Sequence, residues 1–338
     1  MLSAVAALSL SAAPKPEPQM QAVLDAHASL KPKPLETLTP EAARQQPSPA
    51  DAVKALLKQQ DKKAAPEKVA DVDNRSIDGP AGKIKIRIYT PAGAGPFPIV
   101  VYYHGGGWVI ADLDTYDATP RALANAAKAI VVSSHYRQGP EHQFPAAHED
   151  AFAAYKWTLA HAADFKGDPN RIAVAGESAG GNLAAAVSMM ARDEKVQMPV
   201  HQLLIYPVAD TAMDTESYKE NADAKPLSKA GMEWFAKHAI SPKDKSNPHL
   251  ALVRAPNLSG LPAATIITAQ IDPLRSEGQT YGEKLKAAGV PVAYRNYEGV
   301  THEFFGMGAV VDQAKEAVAF ASENLQSSFA QATGRVSK

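Results

Sequence analysis

The spacing of apolar positions changes character along this chain. From Met20 to about Gln60 the pattern is helical but interrupted, with MQAVLDAHASL, TPEAARQQ and SPADAVKALLKQQ separated by proline and lysine breaks. Thr39-Pro40-Glu41 and Ser48-Pro49 read as N-caps with proline at the first helical position, and DKKAAPEK (61–68) as a polar linker. Then the period shortens. KIKIRIYT (83–90) alternates strictly, as a strand with one face toward solvent does. FPIVVYYHGGG (97–107) and AIVVSSHY (129–136) are unbroken apolar runs of the kind carried by strands buried on both faces. IAVAG (172–176), HQLLIYP (201–207), AATIITAQ (263–270) and VAYRNYEG (292–299) continue the series. Helical stretches fall at 116–127, 146–163, 179–192, 275–288 and 311–327. Strands alternating with helices imply a mainly parallel sheet covered on both faces.

One segment breaks the rhythm. Residues 208–246 carry no strand although strands flank them. An insertion at the carboxyl end of a strand lies over the ligand-binding edge of such a sheet, so this segment is expected to form a cap with the helices of residues 17–60.

Composition narrows the partners. The 338 residues are 45% hydrophobic and 21% charged, and 35 Lys and Arg against 36 Asp and Glu leave a formal charge of −1. That balance gives no electrostatic reason to expect nucleic acid or an anionic membrane. The absence of cysteine removes disulfides, thiolate catalysis and cysteine metal sites. No apolar run approaches the ~20 residues of a spanning helix. The opening MLSAVAALSLSAAPKPEP has an apolar stretch of signal-peptide length and a small-residue exit at Ser11-Ala12-Ala13, but no basic n-region. Residues 1–16 are therefore an apolar tail or a signal remnant, and the location is cytoplasmic or, with a signal, periplasmic or secreted.

The candidate chemistry begins at RIAVAGESAGGNLAAAV (171–187), where Ser178 sits between Gly176 and Gly180. Most Gly-Ser clusters are ordinary turns. Here a buried-strand run meets a helix-favouring one, and so tight a turn strains the central residue and demands small neighbours. It also holds the serine oxygen at the carboxyl edge of the sheet, facing the first N–H groups of a helix, which suits a nucleophile. YYHGGGW (102–108) ends another apolar strand in three glycines. Their backbone is free to aim N–H groups inward, so Gly105, Gly106 and Gly107, with the amide of Ala179, are the expected oxyanion hole. Of ten histidines, most, including His27, His148, His161, His201, His238 and His249, read as surface or packing residues. His302, in a loop after a strand and last in the chain, fits a base that follows nucleophile and acid in sequence. Between them TAQIDPLRSEG supplies Asp272, just after a strand, with an N-cap role as its bland alternative and Glu277 as the reserve acid.

With these residues in view, the chain resembles the hormone-sensitive-lipase-like branch of the α/β-hydrolases, the bacterial esterases of family IV. The likeness rests on HGGGW (104–108), HYRQGPEHQFPAAHEDA (135–151), GDPNRIAVAGESAGGNLA (167–184), DPLRSEG (272–278) and THEFF (301–305), in that order. The resemblance implies a mostly parallel, eight-stranded sheet with helices on both faces, a helical cap, and hydrolysis of short- to medium-chain carboxylic esters without metal or organic cofactor. It assigns Ser178 as nucleophile, Asp272 as acid and His302 as base, with His104 bracing the glycine loop and Glu177 in a supporting position. The organisation becomes residues 17–62 as N-terminal cap helices, 63–207 and 247–338 as the two parts of the catalytic domain, and 208–246 as cap insertion. Edge-strand dimers occur in the family, so a homodimer is an expectation of the likeness. Glu177, Gln138-Gly139, Ser276 and Glu303 depart from the usual residues, which bears on pocket shape and substrate range more than on reaction class.

Two alternatives use the same residues. An amidase or a lipase would work through the same triad, the lipase with a large apolar surface beside its cleft. A small-molecule receptor on this scaffold would bind without turnover, but it would be expected to have lost Ser178, Asp272 or His302, and all three remain.

Overall fold

One sheet of eight strands, in the order β1-β2-β4-β3-β5-β6-β7-β8, organises the molecule. The strands are β1 (Asp71–Gly79), β2 (Gly82–Thr90), β3 (Phe97–Tyr103), β4 (Ile130–His135), β5 (Gly167–Glu177), β6 (Gln202–Ile205), β7 (Ala264–Ile271) and β8 (Val292–Thr301). Strands β3 to β8 run parallel, while β2 pairs antiparallel with β4 and β1 antiparallel with β2. The computed structural model describes residues 14–336, so the tail-or-signal expectation for the first thirteen residues lies outside the described residues. Among the described residues no helix is long and apolar enough to cross a membrane.

The unbroken apolar runs are explained by layers on both faces. In β3, Ile99, Val101 and Tyr103 enter one core with Phe152 of α5 (Ala146–His161) and Leu183 of α6 (Ala179–Asp193). The alternate residues Val100 and Tyr102 enter a second core with Leu123 of α4 (Ala118–Ala127) and Ala314 of α10 (Asp312–Val336). Strand β2 needs only one covered face over most of its length, hence buried Ile84, Ile86 and Ile88 beside exposed Lys83 and Lys85.

Strand β1 is a correction to the sequence reading, which had no strand there. DVDNRSIDG buries only Ile77 and is poor in strand-favouring residues. It forms because β2 offers a full ladder from Asp71 opposite Thr90 to Gly79 opposite Gly82. As the edge of the sheet it can stay polar on both faces.

Of the N-terminal helices α1 (Pro18–Ser29), α2 (Pro40–Ala43) and α3 (Pro49–Gln59), the last two begin where caps were expected, whereas α1 is capped by Glu17, which the sequence reading did not single out. Thr39 Oγ1 accepts the Ala42 amide at 3.3 Å, and Ser48 forms a reciprocal capping box with Asp51. Met20, Val23, Ala52 and Leu56 of α1 and α3 join the core that holds α4 and α10. The 208–246 segment folds into α7 (Glu216–Glu220), α8 (Lys229–Ala239) and a single 3-10 turn. It meets the N-terminal region through the Leu35–Leu38 stretch, where Trp234 Nε1 donates to the Leu38 carbonyl at 3.0 Å. Helix α9 (Arg275–Ala287) follows β7 and packs on β7 and β8.

Candidate active site

Strands β5, β7 and β8 are parallel, so their carboxyl ends lie on one edge of the sheet, and each delivers one side chain there. Ser178 follows β5, Asp272 follows β7 and His302 follows β8. His302 Nε2 lies 3.0 Å from Ser178 Oγ, and His302 Nδ1 lies 2.7 Å from Asp272 Oδ2. Nδ1–H donating to the carboxylate leaves the Nε2 lone pair to accept the serine hydroxyl, which is the tautomer a general base needs. All three side chains are nearly closed off from bulk water, with relative exposures of 4% for Ser178, 3% for His302 and 0% for Asp272. Burial by itself would depress the imidazole, but Asp272 on Nδ1, reinforced by Glu303 and Glu177, carries its pKa above the ordinary histidine value.

The serine stands at φ 56° and ψ −119°, a strained conformation for any residue with a side chain. Its glycine neighbours are required by crowding. A Cβ on Gly176 would lie 2.1 Å from the Gly180 carbonyl oxygen, and one on Gly180 would lie 2.0 Å from that of Tyr103. The elbow is pinned by the Ser178 amide donating to Ile205 (2.9 Å) and by the Ser178 carbonyl accepting from Asn182 and Val208 (both 3.1 Å). Asn182 Oδ1 in turn accepts from His148 Nε2 at 3.0 Å, giving that buried histidine a packing role.

The glycine loop stands beside this elbow. His104 Nδ1 lies 2.7 Å from the Gly105 carbonyl oxygen, and the Tyr136 hydroxyl donates to the carbonyls of His104 (2.8 Å) and Gly105 (3.1 Å). The Gly106 carbonyl accepts from Val109 and Ile110, each at 3.0 Å. In a trans peptide the N–H opposes the carbonyl, so the amides of Gly105, Gly106 and Gly107 are turned away from these partners. Among the described residues none of the three, nor Ala179, donates a hydrogen bond. Gly106 and Gly107 have φ of 93° and 58°, which glycine adopts without strain. Burial drives His104 down to about 3, so it braces the loop as a neutral ring.

A family profile described as an alpha/beta hydrolase fold matches residues 100–306, which span the glycine loop, the serine elbow, Asp272 and His302. The chain belongs to the α/β-hydrolase family. The hormone-sensitive-lipase-like resemblance read from its motifs is borne out by the relatives of this hydrolase. It is 46% identical over 247 residues to the esterase LipI of Mycobacterium tuberculosis, covering 72% of this chain and 77% of LipI. It is 44% identical over 249 residues to the carboxylic ester hydrolase LipN of the same organism, covering 72% of this chain and 66% of LipN. The solved structure of a hyperthermophilic esterase from the archaeon Pyrobaculum calidifontis superposes with a TM-score of 0.83 at 36% identity, over 93% of this chain and 98% of that one.

Around the hydrogen-bonded line of Ser178, His302 and Asp272 lies a buried polar layer that sequence reasoning largely missed. Glu177, next to the serine, accepts from the Tyr102 hydroxyl and from that of Tyr206. Tyr206 also stacks obliquely on His302, with ring centroids 4.6 Å apart. The Tyr116 hydroxyl donates to Glu303 Oε1 at 2.6 Å. Burial, then the neighbouring Glu303, pushes the Glu177 carboxyl up to about 7. Glu303 is also raised by burial, against the opposing pull of His302 and the Tyr116 hydrogen bond. Two signals pointed here, the unusual residues at 177 and 303, but the tyrosines sit in ordinary apolar contexts.

The two acids considered for His302 are separated by the fold. Asp272 reaches the imidazole and also caps locally, with Oδ1 accepting the Leu274 amide at 2.9 Å. Glu277, on α9, instead accepts the amides of Ala209 (2.8 Å) and Asp210 (3.3 Å) and so holds the start of the 208–246 segment.

Proposed function

We infer that this chain is a carboxylic ester hydrolase acting by two acyl transfers, with Ser178 as nucleophile, His302 as general acid and base, and Asp272 as the group that orients and stabilises the imidazole. The observation that carries the reading is the single hydrogen-bonded line from Ser178 Oγ through His302 to Asp272, at 3.0 and 2.7 Å. In the first half-reaction Nε2 takes the serine proton as Oγ bonds to the ester carbonyl carbon. The electron pair of the carbonyl moves to its oxygen, which the amides of Gly105, Gly106, Gly107 and Ala179 are free to receive. Collapse expels the alcohol, which takes its proton from Nε2. Water then attacks the acyl-enzyme, with His302 again as base, and the acid leaves.

Substrate size is read from the cap. Phe235 of α8 lies against the oxyanion loop so closely that a Cβ on Gly107 would fall 2.2 Å from its ring. That aromatic contact limits room beside the loop and favours short- to medium-chain acyl groups. Small soluble esters are therefore the substrates of this reading. A homodimer through β8, the edge strand on the side of His302, belongs to the same reading, and sedimentation velocity tests it.

The decisive experiment is hydrolysis of p-nitrophenyl acetate by wild type and Ser178→Ala. Loss of turnover by about 10⁴–10⁶ supports the assignment, and appreciable remaining activity overturns it. A chain-length series with wild type and Phe235→Ala tests the size reading, since the variant should extend the optimum toward longer acyl groups.

A further inference from the structure

We propose that Glu303 is a positioning residue for His302: its carboxylate, tied by Tyr116, supplies a second negative group on the Nε2 side of the ring and stabilises the imidazolium between proton uptake from Ser178 and proton delivery to the leaving alcohol. The inference rests on the reading of Ser178, His302 and Asp272 given above and deepens it.

The distances separate this role from that of Asp272. Glu303 Oε1 lies 3.7 Å from His302 Nε2, beyond hydrogen-bond length, whereas Asp272 Oδ2 lies 2.7 Å from Nδ1. Nε2 thus stays available to Ser178 Oγ at 3.0 Å, and Glu303 acts through charge alone. A neutral imidazole gains little from a nearby carboxylate, and an imidazolium gains a great deal. The interaction is therefore stronger once the serine proton has moved, which is the condition for accelerating the step.

The carboxylate is held for this purpose at some cost. Glu303 has φ 73°, a left-handed conformation that a side chain rarely adopts. Its Oε1 is fixed by the Tyr116 hydroxyl at 2.6 Å, and the same hydroxyl sits beneath the oxyanion loop, where a Cβ on Gly105 would lie 2.3 Å from it. One phenol thus sets both the carboxylate and the loop.

The groups facing His302 and Glu303 leave the charge where the proposal needs it. They are Asp272 after β7, Glu177 at the end of β5, Tyr206 after β6, Tyr102 on β3, Tyr116 ahead of α4, and Tyr136 after β4, with the neutral His104 beyond. Burial holds all four phenols well above their ordinary range, so they are neutral donors. Glu177 and Glu303 repel one another and burial raises both; the hydroxyls of Tyr102, Tyr206 and Thr119 favour the charged form of Glu177, which still stands at about 7, while His302 and Tyr116 favour the charged form of Glu303. A cavity of about 40 Å³, bordered by Pro49, Thr115, Thr119 and both glutamates, gives this pair room for about one water molecule.

The test is the pH dependence of kcat/KM for p-nitrophenyl acetate in wild type, Glu303→Gln, Glu303→Asp and Tyr116→Phe. Removing the charge should lower the midpoint of the acid limb in Glu303→Gln by about one unit, with reduced kcat and little change in KM. Glu303→Asp should recover part of that shift. Tyr116→Phe, which keeps the ring but removes the donor, should move the limb in the same direction by less. An acid limb in Glu303→Gln that coincides with wild type overturns the proposal, even if kcat falls. If that variant does not fold, an unmoved limb in Tyr116→Phe overturns it equally. Neither result touches the assignment of Ser178, which fails only if Ser178→Ala stays active.

Discussion

Gly180 stands directly against the carbonyl of Tyr103, with no space between helix α6 and the end of β3 for even one methyl group: a Cβ there would lie 2.0 Å from that oxygen. This contact brings together the serine elbow and the glycine loop, which the proposed mechanism sets around one reacting carbonyl. Gly180→Ala must therefore push the two loops apart. Such a shift should lower kcat by about 100-fold and cost about 1–3 kcal/mol of stability from overpacking. Steady-state kinetics alongside thermal unfolding check both effects, and near-wild-type turnover would mean that the loops tolerate separation.

Asp272 divides its two oxygens between Leu274 and His302, so its fold role and its site role can be separated. Asp272→Asn can keep an oxygen on the Leu274 amide while turning an N–H toward Nδ1, which enforces the wrong tautomer. Turnover should drop by about 10⁴ with little change in melting temperature. A parallel loss of structure by circular dichroism would contradict this separation.

Ester hydrolysis should rise with pH as His302 loses its proton. Because the carboxylates around it raise its pKa, the midpoint of the acid limb should lie above the ordinary histidine value of about 6.5. A kcat/KM profile from pH 5 to 9 measures it, and a midpoint below 6 would mean that burial outweighs the carboxylates.

Glu177 should make stability fall with rising pH. Its carboxyl titrates near 4.5 when unfolded and at about 7 in the folded protein. Between those values the folded state binds the extra proton, so stability present below the lower value is lost as pH rises through the window. Glu177→Gln does not titrate, so its melting temperature relative to wild type should climb from pH 4.5 to 7.5 and level off above. Differential scanning calorimetry across that range decides the matter, and a difference independent of pH would show that the Glu177 pKa is not raised.

How much was legible in the sequence depended on how local each constraint was. The parallel core strands were readable because burial on both faces demands the unbroken runs at 97–103 and 129–135. The caps at Thr39 and Ser48 were readable because each satisfies amides only three residues away. Strand β1 was not, because its polar residues are paired by β2 rather than selected by a core. Glu277 remained a rival to Asp272 for the same reason: a few residues separate them, and only packing turns one toward His302 and the other toward Ala209.

From the chain alone came the parts whose backbone geometry leaves few residue choices: the strained turn at Ser178 with its glycines, the glycine run at 105–107, and the alternation of strand and helix that puts such turns on one edge. Tertiary structure decided which side chains meet across long stretches of sequence, such as Ser178 with His302 at a separation of 124 residues and Tyr116 with Glu303 at 187. Short-range sterics are written into neighbouring residues, whereas the field around a buried imidazole is the sum of charges that only the packed sheet and helices bring within a few ångströms of one another.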